Sequence, residues 1–173
     1  MSAPRAASAA GALRPDSLAL MLFLAGVVAV GPLSTDLYLP SLPDMTRIFG
    51  TDVSMVQLTL SVFIAGFAVA QLVYGPLSDR YGRLPLLLGG LGLFFVASLA
   101  CAFATTIEAL IGLRFLQAVG ACAGPVLGRA IVRDLHDREG AARMMAYLGA
   151  VMGFAPAAGP VIGGYLHGAF GWQ

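Results

Sequence analysis

The sequence predicts an all-α integral membrane protein with about five membrane-spanning helices, and three observations carry that prediction. Hydrophobic residues make up 58% of the 173 residues and charged residues only 11%, whereas an average soluble domain has roughly 25% charged residues; mean hydropathy is +0.85. Too little polar surface exists to coat a water-soluble globule. The apolar residues fall in runs long enough, at about 1.5 Å per helical residue, to cross roughly 30 Å of hydrocarbon. These runs lack the two-residue alternation of barrel strands, which leaves helices as the structures that satisfy their own backbone groups in lipid.

In chain order, an Ala-rich tail over 1–15 carries Arg5 and Arg14 and is expected to be disordered. That leaves 16–173 as one transmembrane helical domain. The first apolar run, 18–39, outlasts the apolar part of a signal peptide and ends in Asp36 and prolines rather than in a small-residue cleavage site. The second run, 54–74, and the third, 84–104, contain no charge, yet Gly75 to Arg83 between them packs Asp79, Arg80 and Arg83 beside Pro76. A buried core does not tolerate that, so a tight turn at a membrane surface is expected, its backbone eased by Gly75 and Gly82. The fourth run, 107–130, carries Glu108 and Arg129 near its ends and Arg114 about seven residues inside it, where a charge costs up to roughly 2.5–3.5 kcal/mol. In the fifth, 144–167, Gly149 and Gly153, then Gly159 and Gly163, recur four apart, which bares helix backbone on one face, and Pro156 and Pro160 bend the helix.

All ten basic residues are arginine, and their placement orients the bundle. With a cytoplasmic amino terminus, Arg5, Arg14, Arg80, Arg83, Arg129, Arg133, Arg138 and Arg143 lie inside and Arg47 alone outside, as the positive-inside rule requires. The fifth helix then ends outside, where Trp172 suits the interface.

Several function classes drop out. A net charge of +1 and scattered arginines do not make a nucleic-acid surface. No Gly-x-x-x-x-Gly-Lys phosphate loop and no metal-ligand spacing occurs, so neither an enzyme nor a cofactor or metal site is predicted. Cys101 and Cys122 lie among apolar residues and read as small hydrophobes, while His136 and His167 fall at opposite membrane faces.

Three segments carry a resemblance. The Gly75-x-Leu77-x-Asp79-Arg80-x-Gly82-Arg83 segment resembles the loop between the second and third helices of the major facilitator superfamily of secondary transporters. Arg114-Phe115-Leu116-Gln117-Ala118-Val119-Gly120 is similar to that superfamily's fourth-helix motif. Gly153 with Pro156-Ala157-Ala158-Gly159-Pro160-Val161-Ile162-Gly163-Gly164 is similar to its antiporter-associated Gly-Pro-x-x-Gly-Gly motif, and Ser34 to Pro43 adds a likeness to the Bcr/CflA branch of drug:proton antiporters. The resemblance covers about 18–173. It implies most of the amino-terminal six-helix half of a twelve-helix transporter in the bacterial cell inner membrane, truncated here, with the carboxy-terminal half as its missing partner.

The resemblance also assigns expected roles. Gly75, Asp79, Arg80, Gly82 and Arg83 form a cytoplasmic gating loop, with Asp79 capping a helix or pairing with an arginine, and Arg129, Arg133 and Asp134 as candidate partners. Asp36 and Arg114 are expected to be mutual counter-ions at the cavity, which the first and fourth helices line, and Asp36 to carry the coupling proton; snorkelling of Arg114 and a water-exposed Asp36 are the plainer readings. Tyr38 and Gln117 are expected to meet substrate. Gly153, Pro156, Gly159, Pro160, Gly163 and Gly164 form the antiporter helix motif. Gly26-Val27-Val28-Ala29 lacks the mid-helix acid of some drug antiporters, so a preference for cationic compounds does not follow. The function implied is proton-coupled export of small amphipathic compounds. A facilitator or symporter for a small metabolite, or a non-transporting helical scaffold, remains the alternative.

Overall fold

The computed structural model describes residues 17–171; the expected tail over 1–15 and Trp172 lie outside the described residues. Within them the chain is helical, in the order α1 (Leu18–Asp36), a 3-10 turn (Leu39–Ser41), α2 (Leu42–Ile48), α3 (Val53–Tyr81), α4 (Arg83–Ala102), α5 (Ile107–Leu135) and α6 (Arg138–Phe170). Five segments are long and apolar enough to cross a membrane: α1 running on to Ile48, then α3, α4, α5 and α6. The expected all-helical, five-span architecture is what forms.

Polar residues mark the helix starts. Ser17 Oγ accepts from the Leu20 amide (3.2 Å), Thr106 Oγ1 from Ala109 (3.3 Å) and Asp137 Oδ1 from Gly140 (2.8 Å), each satisfying a donor that the first helical turn leaves free.

Two expected boundaries change. The first span is not one helix through Leu39: α1 stops at Asp36, and Pro40 and Pro43, each early in its element, seed the 3-10 turn and then the short α2. The expected turn over Gly75 to Arg83 is mostly helix, since α3 continues through Pro76 to Tyr81 and only Gly82, at φ 93°, breaks it. A proline removes one intrahelical bond without ending a helix whose neighbours hold it. At 29 residues and about 1.5 Å each, α3 outreaches the hydrocarbon, and its charged last turns project beyond it. Gly82 is a required glycine; an added Cβ at Gly75 would meet open space.

The centre of the bundle is α5, packed against α1, α3, α4 and α6. Its small residues let backbones touch: a Cβ on Gly120 would strike the Phe94 backbone of α4, and one on Gly124 the Val27 carbonyl of α1. In lipid, where water drives no burial, such close approach is what holds helices together. Around it, Val27, Tyr74, Leu87, Cys122 and Leu127 form one core cluster, and Leu24, Val28, Val132 and Leu148 another. On the perimeter α3, α4 and α6 turn Leu72, Val96 and Phe154 outward, as a lipid-facing surface does.

Candidate functional site

Arg114 lies two turns into α5 and is 3% exposed. Its Nη1 donates to Gln117 Oε1 (2.8 Å), and Gln117 Nε2 donates to Ser98 Oγ on α4 (2.8 Å). The guanidinium is stacked between two rings, its Cζ 3.9 Å from the Tyr38 centroid and 4.7 Å from that of Phe63, an arrangement worth about 2 kcal/mol when desolvated. Tyr38 is itself fixed: its hydroxyl lies 2.8 Å from Thr59 Oγ1 and 3.0 Å from Met45 Sδ. Thr59 Oγ1 also donates to the Val56 carbonyl (2.6 Å). Arg114 Nε and Nη2 are buried and have no hydrogen-bond partner among the described residues.

The expected Asp36–Arg114 ion pair does not form. Among the described residues no carboxylate is in ion-pair range of Arg114, and Asp36 Oδ2 is buried without a partner. The reason is the end of α1. Residues two apart in a helical turn point about 200° apart, so Tyr38 covers Arg114 while Asp36 faces α6, where its Cβ lies against Gly159. The glycine face of α6 is accordingly split. Gly159 and Gly163 press on Asp36 and on the Leu37 backbone of the same chain, while Gly149, Gly153 and Gly164 stay open. Pro156 and Pro160 stand within α6 without ending it.

Two cavities flank this centre. An apolar groove of about 390 Å³ runs between α1, α3 and α6 along Pro32, Thr35, Phe63, Phe67, Gln71 and Met152. A smaller chamber of about 220 Å³ is lined by Tyr38, Ser98, Cys101, Leu110, Arg114 and Gln117. Phe63 belongs to the groove and stacks on Arg114. Tyr38 and Gln117 thus line the chamber rather than the groove. Phe63, Phe67, Gln71 and Ser98 escaped the sequence reading; Gln71, an amide between Ala70 and Leu72 in an apolar run, was the one visible signal.

At the α3–α4 junction Arg83 is the hub. Its Nη1 meets Asp79 Oδ1 (2.6 Å) and its Nε donates to Asp134 Oδ2 of α5 (3.0 Å); it also reaches Ser78 Oγ. Asp79 therefore pairs with Arg83 and not with Arg129, whose Nε turns back to the Pro125 carbonyl (2.7 Å). Arg80 stacks over Tyr81 at 5.4 Å. At the opposite end, His167 of α6 joins Ser41 Oγ (Nδ1, 3.2 Å) and Asp44 Oδ2 (Nε2, 2.8 Å), a cluster without a signature in the residue pattern.

Residues 18–173 match the family model of the Major Facilitator Superfamily. The chain is 40% identical over 90% of its length to a chloramphenicol resistance protein of Pseudomonas aeruginosa, covering 37% of that protein. It is 39% identical over 86% of its length to an uncharacterized MFS-type transporter, YdgK, of Bacillus subtilis (strain 168), covering 37% of it. It is 32% identical over 92% of its length to multidrug resistance protein D of Escherichia coli (strain K12), covering 41% of it. The chain thus spans about two fifths of the length of these relatives. A match over nearly the whole sequence, on five helices that can span a membrane, has one meaning: the chain belongs to the Major Facilitator Superfamily and is a multi-pass membrane protein.

Proposed function

We propose that this chain forms part of a secondary transporter that exports small amphipathic compounds in exchange for protons. The observation that carries the reading is a carboxylate beside an apolar groove: Thr35 lines the groove, and Asp36, the next residue, ends α1 with one oxygen buried and without a partner among the described residues. A carboxylate in that position takes up and releases a proton as its surroundings alternate. The groove, walled by Phe63, Ile64 and Phe67 with Thr35 and Gln71 as its polar points, discriminates loosely by size and shape. Relatives named for chloramphenicol and multidrug resistance support the compound class.

The remaining parts take supporting roles. Arg83, held by Asp79 and Asp134, latches the ends of α3, α4 and α5 so that the helices rock as one body against a second helical segment that completes the transporter. Gly159 and Gly163 keep α6 against the end of α1 and so set where Asp36 lies. The membrane is the bacterial inner membrane with the amino terminus cytoplasmic, which places the Arg83 end inside. The test is chloramphenicol accumulation in cells expressing the chain with its completing segment. Accumulation should fall, and both a protonophore and Asp36→Asn should restore it; efflux that ignores both would remove proton coupling.

A further inference from the structure

The groove between α1, α3 and α6 carries polar groups that a purely apolar fit does not need. Phe63, Phe67 and Gln71 recur one turn apart on α3, and all three line it. Gln71 is exposed, and its amide has no hydrogen-bond partner among the described residues. Thr35 of α1 is half-buried; its hydroxyl is likewise unpartnered among them, yet it is not enclosed as the Asp36 and Arg114 atoms are. An amide or hydroxyl among apolar walls is costly to leave without partners, so both groups stand ready to bond whatever fills the groove.

Their spacing follows from the packing. A Cβ on Gly31 would lie 3.1 Å from the Phe67 ring, so Gly31 and Phe67 share one level. Thr35 lies one turn beyond Gly31, and Gln71 one turn beyond Phe67. These turns lead in opposite directions, because α1 runs antiparallel to α5, with Val27 against Gly124 and Leu24 beside Val132, whereas α3 runs parallel to it, with Phe63 over Arg114 and Ala70 beside Cys122. Two helical turns therefore part the two groups, about 11 Å along the groove. Phe63, Phe67 and Pro32 fill the interval, and no charged side chain is among the described lining; Asp36 turns away to Gly159. A cation seated here would meet no balancing charge.

We propose that Thr35 and Gln71 set the selectivity of this groove: it takes uncharged, elongated aromatic compounds with a hydrogen-bonding group at each end, the rings lying on Phe63 and Phe67. The inference deepens the transport reading and rests on it, since it names which amphipathic compounds the proposed export site prefers. The groove's 390 Å³ lies within the roughly 300–1,000 Å³ of small-molecule sites.

The probes are 4,4′-dihydroxybiphenyl, a rigid rod with a hydroxyl at each end, 4-hydroxybiphenyl, and the dication of 4,4′-bis(aminomethyl)biphenyl. The chain with its completing segment is held in phosphatidylcholine nanodiscs, and binding is measured by equilibrium dialysis against empty nanodiscs, which removes partition into lipid. The diol should bind about fivefold more tightly than the mono-ol, the worth of one neutral hydrogen bond, and the dication should not displace it. In Gln71→Leu, and equally in Thr35→Val, the diol should bind no better than the mono-ol, while the mono-ol, free to turn end for end, keeps its affinity within about twofold. A loosened fold would weaken both probes alike and expose the buried Cys122 thiol; should Gln71→Leu do so, Gln71→Met must abolish the preference instead. No diol binding above the lipid background, equal affinity for diol and mono-ol in the wild type, a preference that survives in the folded variants, or displacement by the dication would overturn the proposal. Such a failure with chloramphenicol efflux intact removes the selectivity pair alone; a diol preference without efflux removes the transport reading alone.

Discussion

Replacing Gly163 by alanine tests why the glycines of α6 are there. A Cβ at this position would lie 2.5 Å from the Leu37 carbonyl oxygen, 2.9 Å from its Cα and 3.0 Å from its carbonyl carbon, whereas ordinary contact begins at 3.4 Å. The obstacles are backbone atoms, which no rotamer change can clear. The two helices would have to part by 0.9 Å (3.4 less 2.5) along this contact, and the displacement would carry through to Gly159, one turn away on Asp36. Overpacking of this kind costs about 1–3 kcal/mol, against a gain of about 1 kcal/mol for alanine over glycine in a helix. Gly153→Ala supplies the control, since nothing lies within 4 Å of its Cβ position and the propensity gain is common to both. The difference between the variants therefore isolates the contact and should be about 1–3 kcal/mol. Unfolding in mixed lipid–SDS micelles, read by exposure of the buried Cys122 thiol, measures it. Gly163→Ala matching Gly153→Ala within about 0.5 kcal/mol would refute the reasoning, because additive experimental error is of that size.

Further outcomes follow from the same contacts. Asp36→Asn and Arg114→Gln should change stability additively, within about 0.5 kcal/mol, since the two side chains share no partner; a larger coupling in a double-mutant cycle would mean that they meet. Arg83→Gln should shift unfolding by no more than about 1 kcal/mol, the pairs being solvent-exposed, yet depress transport; wild-type transport would remove the latch. His167→Ala should speed amide exchange in α2, which loses its tie through Asp44, and leave α5 unchanged; an unaltered α2 would show that the 3-10 turn alone holds it.

The span count was legible because lipid imposes length and apolarity on each helix separately, and runs such as 54–74 and 107–130 meet both demands without reference to their neighbours. Helix ends at proline were less so. Pro76 reads as a breaker, but what it does depends on whether adjoining turns and neighbouring helices keep their bonds, and here Ser78 Oγ donates to the Gly75 carbonyl beside it (2.8 Å). Arg114 and Gln117 could be picked out because polar groups at depth need partners; which partners they find depends on helix rotation. The direction in which α1 ends decided that Tyr38 and not Asp36 covers Arg114, and a two-residue change of phase is invisible to composition. Phe63 and Ser98 were beyond reach, since an aromatic ring or a serine in an apolar run looks the same whether it faces lipid or a buried guanidinium. His167 joining Ser41 and Asp44 is a contact across more than a hundred residues, set by packing alone.

The central claim is that Asp36 couples proton movement to export, and the most direct measurement is proton flux in proteoliposomes holding the chain with its completing segment under an imposed pH gradient, read by a trapped pH-sensitive dye. The account predicts that chloramphenicol dissipates the gradient in the wild type, and that Asp36→Asn abolishes this dissipation while chloramphenicol binding persists. A gradient that decays at the same rate with and without chloramphenicol, or a coupled flux that survives in Asp36→Asn, would contradict it.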